Sequence, residues 1–359
     1  MSLSLLLLLV SVAQASHFFG TVMNYYPKNP DASGSITVVF RYKLTFHSCT
    51  QIDSWTCLGN CGTEISVELN IVNQELSGEW CQREGIMTRQ FVSNAPLQLQ
   101  LSGGDWMSNK QRVTSWRAET LVELRNRSDT GRANGSPQTT IVPVLRVPSN
   151  CRRDFHLLAF DPDGDEIKCR YGNATLAECD VCTPPSVLSL SSSCTLSFSP
   201  TTSGDEGSYA VQLVMEDFTR QTITLTQHNG SNMILNANVA ISKLPVQFIL
   251  KVDPVVPSCT EGVYLPKFLP PTPANRARLY TPVNQSLDIS IIAEANVSTI
   301  SELLFSGPHN VNQTRVGVGE YILRWTPSEN EDGQSHPICF SLQAVFKSVT
   351  CPMNISLLH

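Results

Sequence analysis

Four carboxylates crowd into six residues at Asp161-Pro162-Asp163-Gly164-Asp165-Glu166. Hard oxygen donors at that density suit a divalent cation such as Ca²⁺, with Asp161, Asp163 and Asp165 as the ligand positions. The segment is not an EF-hand loop: glycine falls at its fourth position, and Gly172 stands where the twelfth position needs glutamate. The same residues also read as a tight turn, because proline presets φ and Asp-Gly supplies the reversal. The two readings are compatible, and both place the segment between two strands.

Other chemistry is sparse. Cys179-Asp180-Val181-Cys182 and Cys57-Leu58-Gly59-Asn60-Cys61 have redox or half-zinc spacing, but neither a βαβ setting nor a second ligand pair accompanies them, which leaves ordinary disulfide partners. Seven histidines are scattered singly, with no H-E-x-x-H, no G-x-S-x-G and no phosphate-cradling glycine loop. The expectation is a protein that is not an enzyme; a secreted hydrolase assembled from dispersed groups such as His156 is the remote alternative. Trp106, after Gly103-Gly104-Asp105, is a candidate binding aromatic, whereas Phe18, Phe19, Tyr25 and Tyr26 suit the core of a first sheet pair.

Compartment follows from three independent features. Leu3 to Val10 form an apolar run ahead of Ala13-Gln14-Ala15, the pattern of a signal peptide covering 1–15. All 12 cysteines (Cys49, Cys57, Cys61, Cys81, Cys151, Cys169, Cys179, Cys182, Cys194, Cys259, Cys339 and Cys351) lie beyond it, an even set suited to disulfides. Eight sequons start at Asn126, Asn134, Asn173, Asn229, Asn284, Asn296, Asn312 and Asn354. A net charge of −6 without a long basic run argues against nucleic acid. No second apolar run approaches the roughly 20 residues of a membrane span. The chain of 359 residues therefore reads as exported and glycosylated, either secreted whole or as the front part of a longer product.

The elements that position these residues are strands. Ile36, Val38, Phe40, Tyr42, Leu44 and Phe46 alternate with Thr37, Val39, Arg41, Lys43 and Thr45, the mark of a half-buried strand. Ile65, Val67, Leu69 and Ile71 alternate with Ser66, Glu68 and Asn70 in the same way, and later runs repeat the theme. The stretch 113–127 fits a helix or a strand. Short strands punctuated by Gly, Pro, Asn and Ser predict an all-β chain of tandem, disulfide-bonded β-sandwiches. Two proline-bearing seams, Pro143 to Pro148 and Asp253 to Pro257, read as stiff extended linkers. They divide the chain into pieces at 16–142, 143–254 and 255–356. The last two hold five and three cysteines, so either a bridge crosses the second seam or two thiols stay free; a crossing bridge from Cys259 is the preferred expectation.

The acidic turn followed by Gly207-Ser208-Tyr209-Ala210-Val211-Gln212-Leu213-Val214-Met215-Glu216-Asp217 resembles cadherin-like and polycystic-kidney-disease-type Ig-like modules. Tyr321 to Pro327 with Glu331-Asp332-Gly333 is similar to Ig-like modules of surface proteins. The whole arrangement, from Ser16-His17-Phe18-Phe19-Gly20 onward, also resembles a group of vertebrate secreted or ectodomain proteins. These likenesses imply Ig-like sandwiches, an adhesion or spacer role, and Asp161, Asp163 and Asp165 as the matching acidic positions. The function expected is contact with an extracellular protein or glycan, in adhesion, matrix or coat structure. A soluble lectin or immune recognition protein is the alternative.

Overall fold

The computed structural model describes residues 17–346 in full, and the backbone of two further strands at 349–351 and 355–358. The expected leader at 1–15, the Asn354 sequon and the side chain of Cys351 lie outside the described residues.

The chain is all-β. The first strands are β1 (Phe18–Pro27), β2 (Ile36–Phe46), β3 (Thr56–Gly59), β4 (Thr63–Gln74), β5 (Cys81–Phe91), β6 (Leu97–Gly104) and β7 (Ser115–Val122). The apolar set of β2 faces the core, and β2 pairs with β5 in unbroken antiparallel register from Ile36–Phe91 to Phe46–Cys81. The ambiguous stretch 113–127 contains strand β7, because Trp116, Ala118, Thr120 and Val122 turn inward at period two.

Next come β8 (Asn126–Arg127), β9 (Val144–Pro148), β10 (Arg153–His156), β11 (Glu166–Tyr171), β12 (Leu188–Leu190) and β13 (Thr195–Phe198). They are followed by β14 (Gly207–Phe218), β15 (Ile223–Thr226), β16 (Asn232–Leu235) and β17 (Ser242–Asp253). β17 is the hub. It pairs with β14 from Gly207–Val252 to Asp217–Ser242, meets β1 at Val22–Val246 and β7 at Lys243–Leu121, and runs parallel to β9. Gly20 makes the contact with β1 feasible: its φ is +131°, and a Cβ there would lie 2.0 Å from the Gln247 carbonyl oxygen.

One eleven-stranded sheet thus takes strands from both sides of the boundary expected at 142/143. Phe40, Trp116, Leu196, Val211 and Phe248 belong to a single apolar cluster. The first seam is not a free linker. Val144, Leu145 and Val147 are buried, and the Pro143 carbonyl accepts from the Ile249 N–H, so the missing proline donors cost nothing in the ladder. The polar stretch before it is also interior, where Asn134, Ser136, Gln138, Thr139 and Thr140 are buried with hydrogen-bond partners.

The remaining strands are β18 (Lys267–Leu269), β19 (Leu287–Glu294), β20 (Thr299–Ser306), β21 (Asn312–Gly317), β22 (Glu320–Trp325), β23 (Ile338–Phe346), β24 (Val349–Cys351) and β25 (Ile355–Leu358). They form two four-stranded sheets that share a core of Ile289, Ile291, Leu303, Phe305, Leu323 and Phe340. Helical structure among the described residues is limited to three single 3-10 turns. Among the described residues no helix is long and apolar enough to cross a membrane.

Five disulfides staple the strands: Cys49–Cys81, Cys57–Cys61, Cys151–Cys259, Cys169–Cys194 and Cys179–Cys182. Cys151–Cys259 crosses the second seam, where the Asn150 side chain also bonds the Val256 N–H and carbonyl. Cys339 corrects the expectation that every cysteine is bridged, because it is a free thiol buried in the core. Burial pushes its thiol up to about 12. Cys351 pairs in register with Ala344, well along β23 from Cys339. At roughly 3.3 Å per residue that separation exceeds the reach of a disulfide.

Candidate functional site

The acidic turn closes on itself. The Asp161 Oδ1 accepts from the backbone N–H groups of Asp163 (2.9 Å) and Asp165 (3.0 Å), and Gly164 takes φ +81°. That geometry parts the three predicted ligands. Asp161 and Asp165 point inward, where they meet Asp217 at the end of β14, and one carboxylate oxygen from each lies within 4.8 Å of the others. Asp163 instead bonds Arg132 (2.9 Å) and the Gly135 N–H (2.7 Å). Asp217 was not among the predicted ligands, although it ends the alternating run that carries the module resemblance.

A second residue missed by sequence reasoning is Arg127, which is 1% exposed. Its guanidinium donates to both oxygens of Asp165, to both oxygens of Asp129 and to the Asn134 Oδ1. The Asp217 Oδ1 accepts from the Ser242 N–H and hydroxyl, and its Oδ2 accepts from the Asn134 amide. The Asp161 Oδ2 is buried with no hydrogen-bond partner.

This donor set fits Ca²⁺ poorly. The ion takes about six to eight oxygens, yet Asp161 Oδ2 is the one oxygen of the three inward carboxylates without a donor, and Arg127 already supplies the positive charge. The cluster works instead as an ion-pair network that also holds a proton. Burial, reinforced by the Asp217 charge, pushes Asp161 up to about 7. Burial likewise raises Asp217 to about 6 against its hydrogen bonds from Ser242 and Asn134.

Both folded values exceed the ordinary unfolded value of about 3.9. The folded chain therefore keeps protons that the unfolded chain releases. This contribution to stability is full below about pH 4 and is lost as pH rises through 6 and 7. Asp161→Asn keeps the Oδ1 acceptor and removes the charge. It is expected to raise stability at pH 8 by about 2 kcal/mol and to flatten the pH dependence between 5 and 8. Urea midpoints at the two pH values measure both effects.

Trp106 is not a surface aromatic. It is 4% exposed, and its ring stands edge-on to Phe18 at 4.9 Å. Backbone bonds from Phe18 to Asp105 and from Met107 to Phe18 hold the Trp106 segment against β1 and carry the ring into the core. Among the sequons, Asn173, Asn229, Asn284, Asn296 and Asn312 are exposed and Asn126 is half-buried. Asn134 is corrected as a glycan site: it is fully buried, and its amide donates to Tyr25, Gly135 and Asp217, which leaves no room for a sugar. No sequon lies between 17 and 125.

The C-terminal sandwich docks on the first unit through apolar contacts at Leu304, Cys339 and Val72 and through polar groups. Lys43 bonds Glu84 (2.8 Å) and the Gly307 carbonyl, and Glu84 takes the His309 N–H (2.9 Å). Arg41 reaches Glu331 at 2.7 Å, and Tyr26 reaches the Ser335 carbonyl at 2.6 Å. Burial alone would raise Glu84, but Lys43, His309 and Arg41 hold it well below the usual carboxylate range.

No family model matches the chain. It is 21% identical to integrin beta-like protein C of Dictyostelium discoideum over 367 residues, which is 90% of this chain and 18% of that protein. It is 26% identical to integrin beta-like protein A of the same organism over 245 residues, 60% of this chain and 12% of that protein. The chain thus spans less than a fifth of the curated relatives that it matches. Among solved structures it is similar to the eight N-terminal Ig domains of the Down syndrome cell adhesion molecule (12% identity, 93% of this chain and 37% of that one, TM-score 0.17). It is also similar to extracellular domains 3–5 of Drosophila OTK (10% identity, 85% and 91%, TM-score 0.18). Superpositions that loose carry no argument, and the fold rests on its own sheets.

Proposed function

We propose that this chain is an extracellular, non-catalytic contact protein of the adhesion type, led out of the cell by residues 1–15 and partnered by an extracellular protein or glycan. The observation that carries this reading is the set of five disulfides, which runs from Cys49 to Cys259 and ties the chain across the second seam. Such a set forms and persists in an oxidising compartment. The exposed sequons at Asn173, Asn229, Asn284, Asn296 and Asn312 agree with it, as do the names of the integrin beta-like relatives. Rigid sandwiches act here by shape: strand edges and loops make contact, and glycans limit which faces are approached. The lectin alternative loses its aromatic anchor because Trp106 is in the core.

The test is expression of the full chain in secretory cells. Recovery from the medium, a mass that falls on removal of N-glycans, and ten oxidised cysteines are expected. Recovery inside the cell with reduced thiols would falsify the reading. A chelator is expected to leave the melting temperature unchanged, since Arg127 already compensates the acidic cluster.

A further inference from the structure

Among the described sequon asparagines, Asn126 alone is half-buried: Asn134 is sealed in the core and the others are exposed. β8 explains its position. Successive side chains of a strand point to opposite faces. Arg127 turns inward to Asp129, Asn134 and Asp165, so Asn126 turns the other way. Pairing with β15 at Asn126–Thr226 and Arg127–Leu225 fixes the strand, and the Thr224 N–H donates to the Ser128 hydroxyl oxygen at 2.9 Å. The Asn134 amide is committed to three acceptors, whereas the Asn126 side chain has no hydrogen-bond partner among the described residues.

Asn126 lines a cleft of about 600 Å³ between the first unit and the C-terminal sandwich, within the roughly 300–1,000 Å³ of ligand sites. One wall is built by the end of β1 with the chain that follows it, and by the acidic turn at Pro162. The other is the loop after β22, at residues 329–334. Gly131 and Gly333 border the cleft from the two sides. A Cβ on either would meet no heavy atom within 4 Å, so both walls face free space.

The lining selects the occupant. Amides from Asn29, Asn330 and Gln334 stand beside the flat apolar rings of Pro27, Pro30 and Pro162, a mixture that suits the hydroxyls and C–H faces of a sugar. Charge nearly cancels. Lys28 and Arg132 stand against Asp163, Glu329 and Asp332, and Arg132 is already paired with Asp163 at 2.9 Å. A neutral, hydroxyl-rich occupant therefore fits better than a charged peptide or an anion. Attachment then favours the chain's own sugar over a free one. A glycan on Asn126 starts from the cleft wall, and a short tether supplies an effective concentration on the order of millimolar. Contacts too weak to capture a free sugar are sufficient for a tethered one.

We infer that an N-linked glycan on Asn126 packs its first sugars in this cleft and bridges the first unit to the C-terminal sandwich. It adds to the direct bonds between the same walls, Tyr26 to the Ser335 carbonyl (2.6 Å) and Lys28 to the Asn330 carbonyl (3.5 Å). The glycans at Asn229 and Asn312 stand on open surface and restrict approach, while the one at Asn126 holds two units together. This deepens the contact-protein reading and rests on it, because attachment requires the secretory route.

The test uses the full chain secreted by cells, digested with peptide N-glycosidase in isotope-labelled water, first folded and then denatured. Mass spectrometry of peptides reads release at each sequon. Release from Asn126 in the folded chain should be about tenfold slower than from Asn229 and Asn312, since the linkage is reached through opening of the cleft. Denaturation should make the three equal. Asn126→Gln should lower the melting temperature by about 2–4 °C, whereas Asn229→Gln should leave it unchanged. The release rate is read on the unaltered chain and stands whether or not the variant folds. An unoccupied Asn126 in a chain glycosylated at its other sequons overturns the proposal. So does release at the rate of Asn229, or a melting temperature indifferent to Asn126→Gln. A chain with reduced thiols and no glycan at any sequon fails the extracellular reading and this glycan with it, so the other sequons tell the two failures apart.

Discussion

Arg127→Met is expected to destabilise the protein by about 3–5 kcal/mol at pH 8, the cost of stripping one partner from a buried ion pair. Methionine fills much of the same space, so packing loss contributes little. What remains is electrostatic. Asp165 would lose both of its guanidinium bonds and Asp129 both of its own, in a pocket that already holds Asp161 and Asp217. The cost should shrink toward pH 5, because protonation of Asp161 and Asp217 removes part of the negative charge that the arginine neutralises. Urea unfolding of the variant at both pH values checks the sign. A penalty that is constant with pH would mean that Arg127 acts by shape and would remove the proton-holding account of the cluster. Asp165→Asn on the Arg127→Met background should recover part of the loss, since it deletes the uncompensated charge.

The second large effect belongs to the bridge across the seam. Cys151 and Cys259 are 108 residues apart, whereas Cys57 and Cys61 are four apart. A cross-link stabilises by restricting the unfolded chain, and the restriction grows with the loop that it closes. Replacing the Cys151–Cys259 pair by serines should therefore cost about 4–5 kcal/mol, against about 2 kcal/mol for Cys57–Cys61. Melting temperatures of the two double variants give the ranking. Equal losses would show that residual structure in the unfolded chain, rather than loop length, sets the contribution of each bridge. Even without the long bridge the sandwiches should stay docked, because Lys43, Glu84, His309, Arg41 and Glu331 hold the polar contact and Arg153 pairs with Glu261 at 2.6 Å.

Strand identity was legible in the sequence because alternation is a local property: the faces of β2 and β7 follow from neighbours two residues apart. Cysteine parity across the second seam was legible too, being simple arithmetic on the chain. Burial was not. The polar composition at 127–140 gives no sign of burial, yet those side chains bond partners far along the chain, such as Asn134 with Asp217 and Thr139 with Leu158. Trp106 and Asn134 were misplaced for the same reason. Each sits in a segment whose own sequence favours a turn, and distant strands close over it.

The acidic site was half visible. Asp161 and Asp165 could be named from the turn, but Asp217 and Arg127 reach them only through the pairing of β11 with β14 and the course of the chain after β8. What the sequence by itself determined is the set of strands, their two faces and the sulfur content that locks them. What only the tertiary structure decided is which faces end up covered. That depends on where β17 and the C-terminal sandwich settle, and it is why β4, patterned like an interior strand, stands at an open edge.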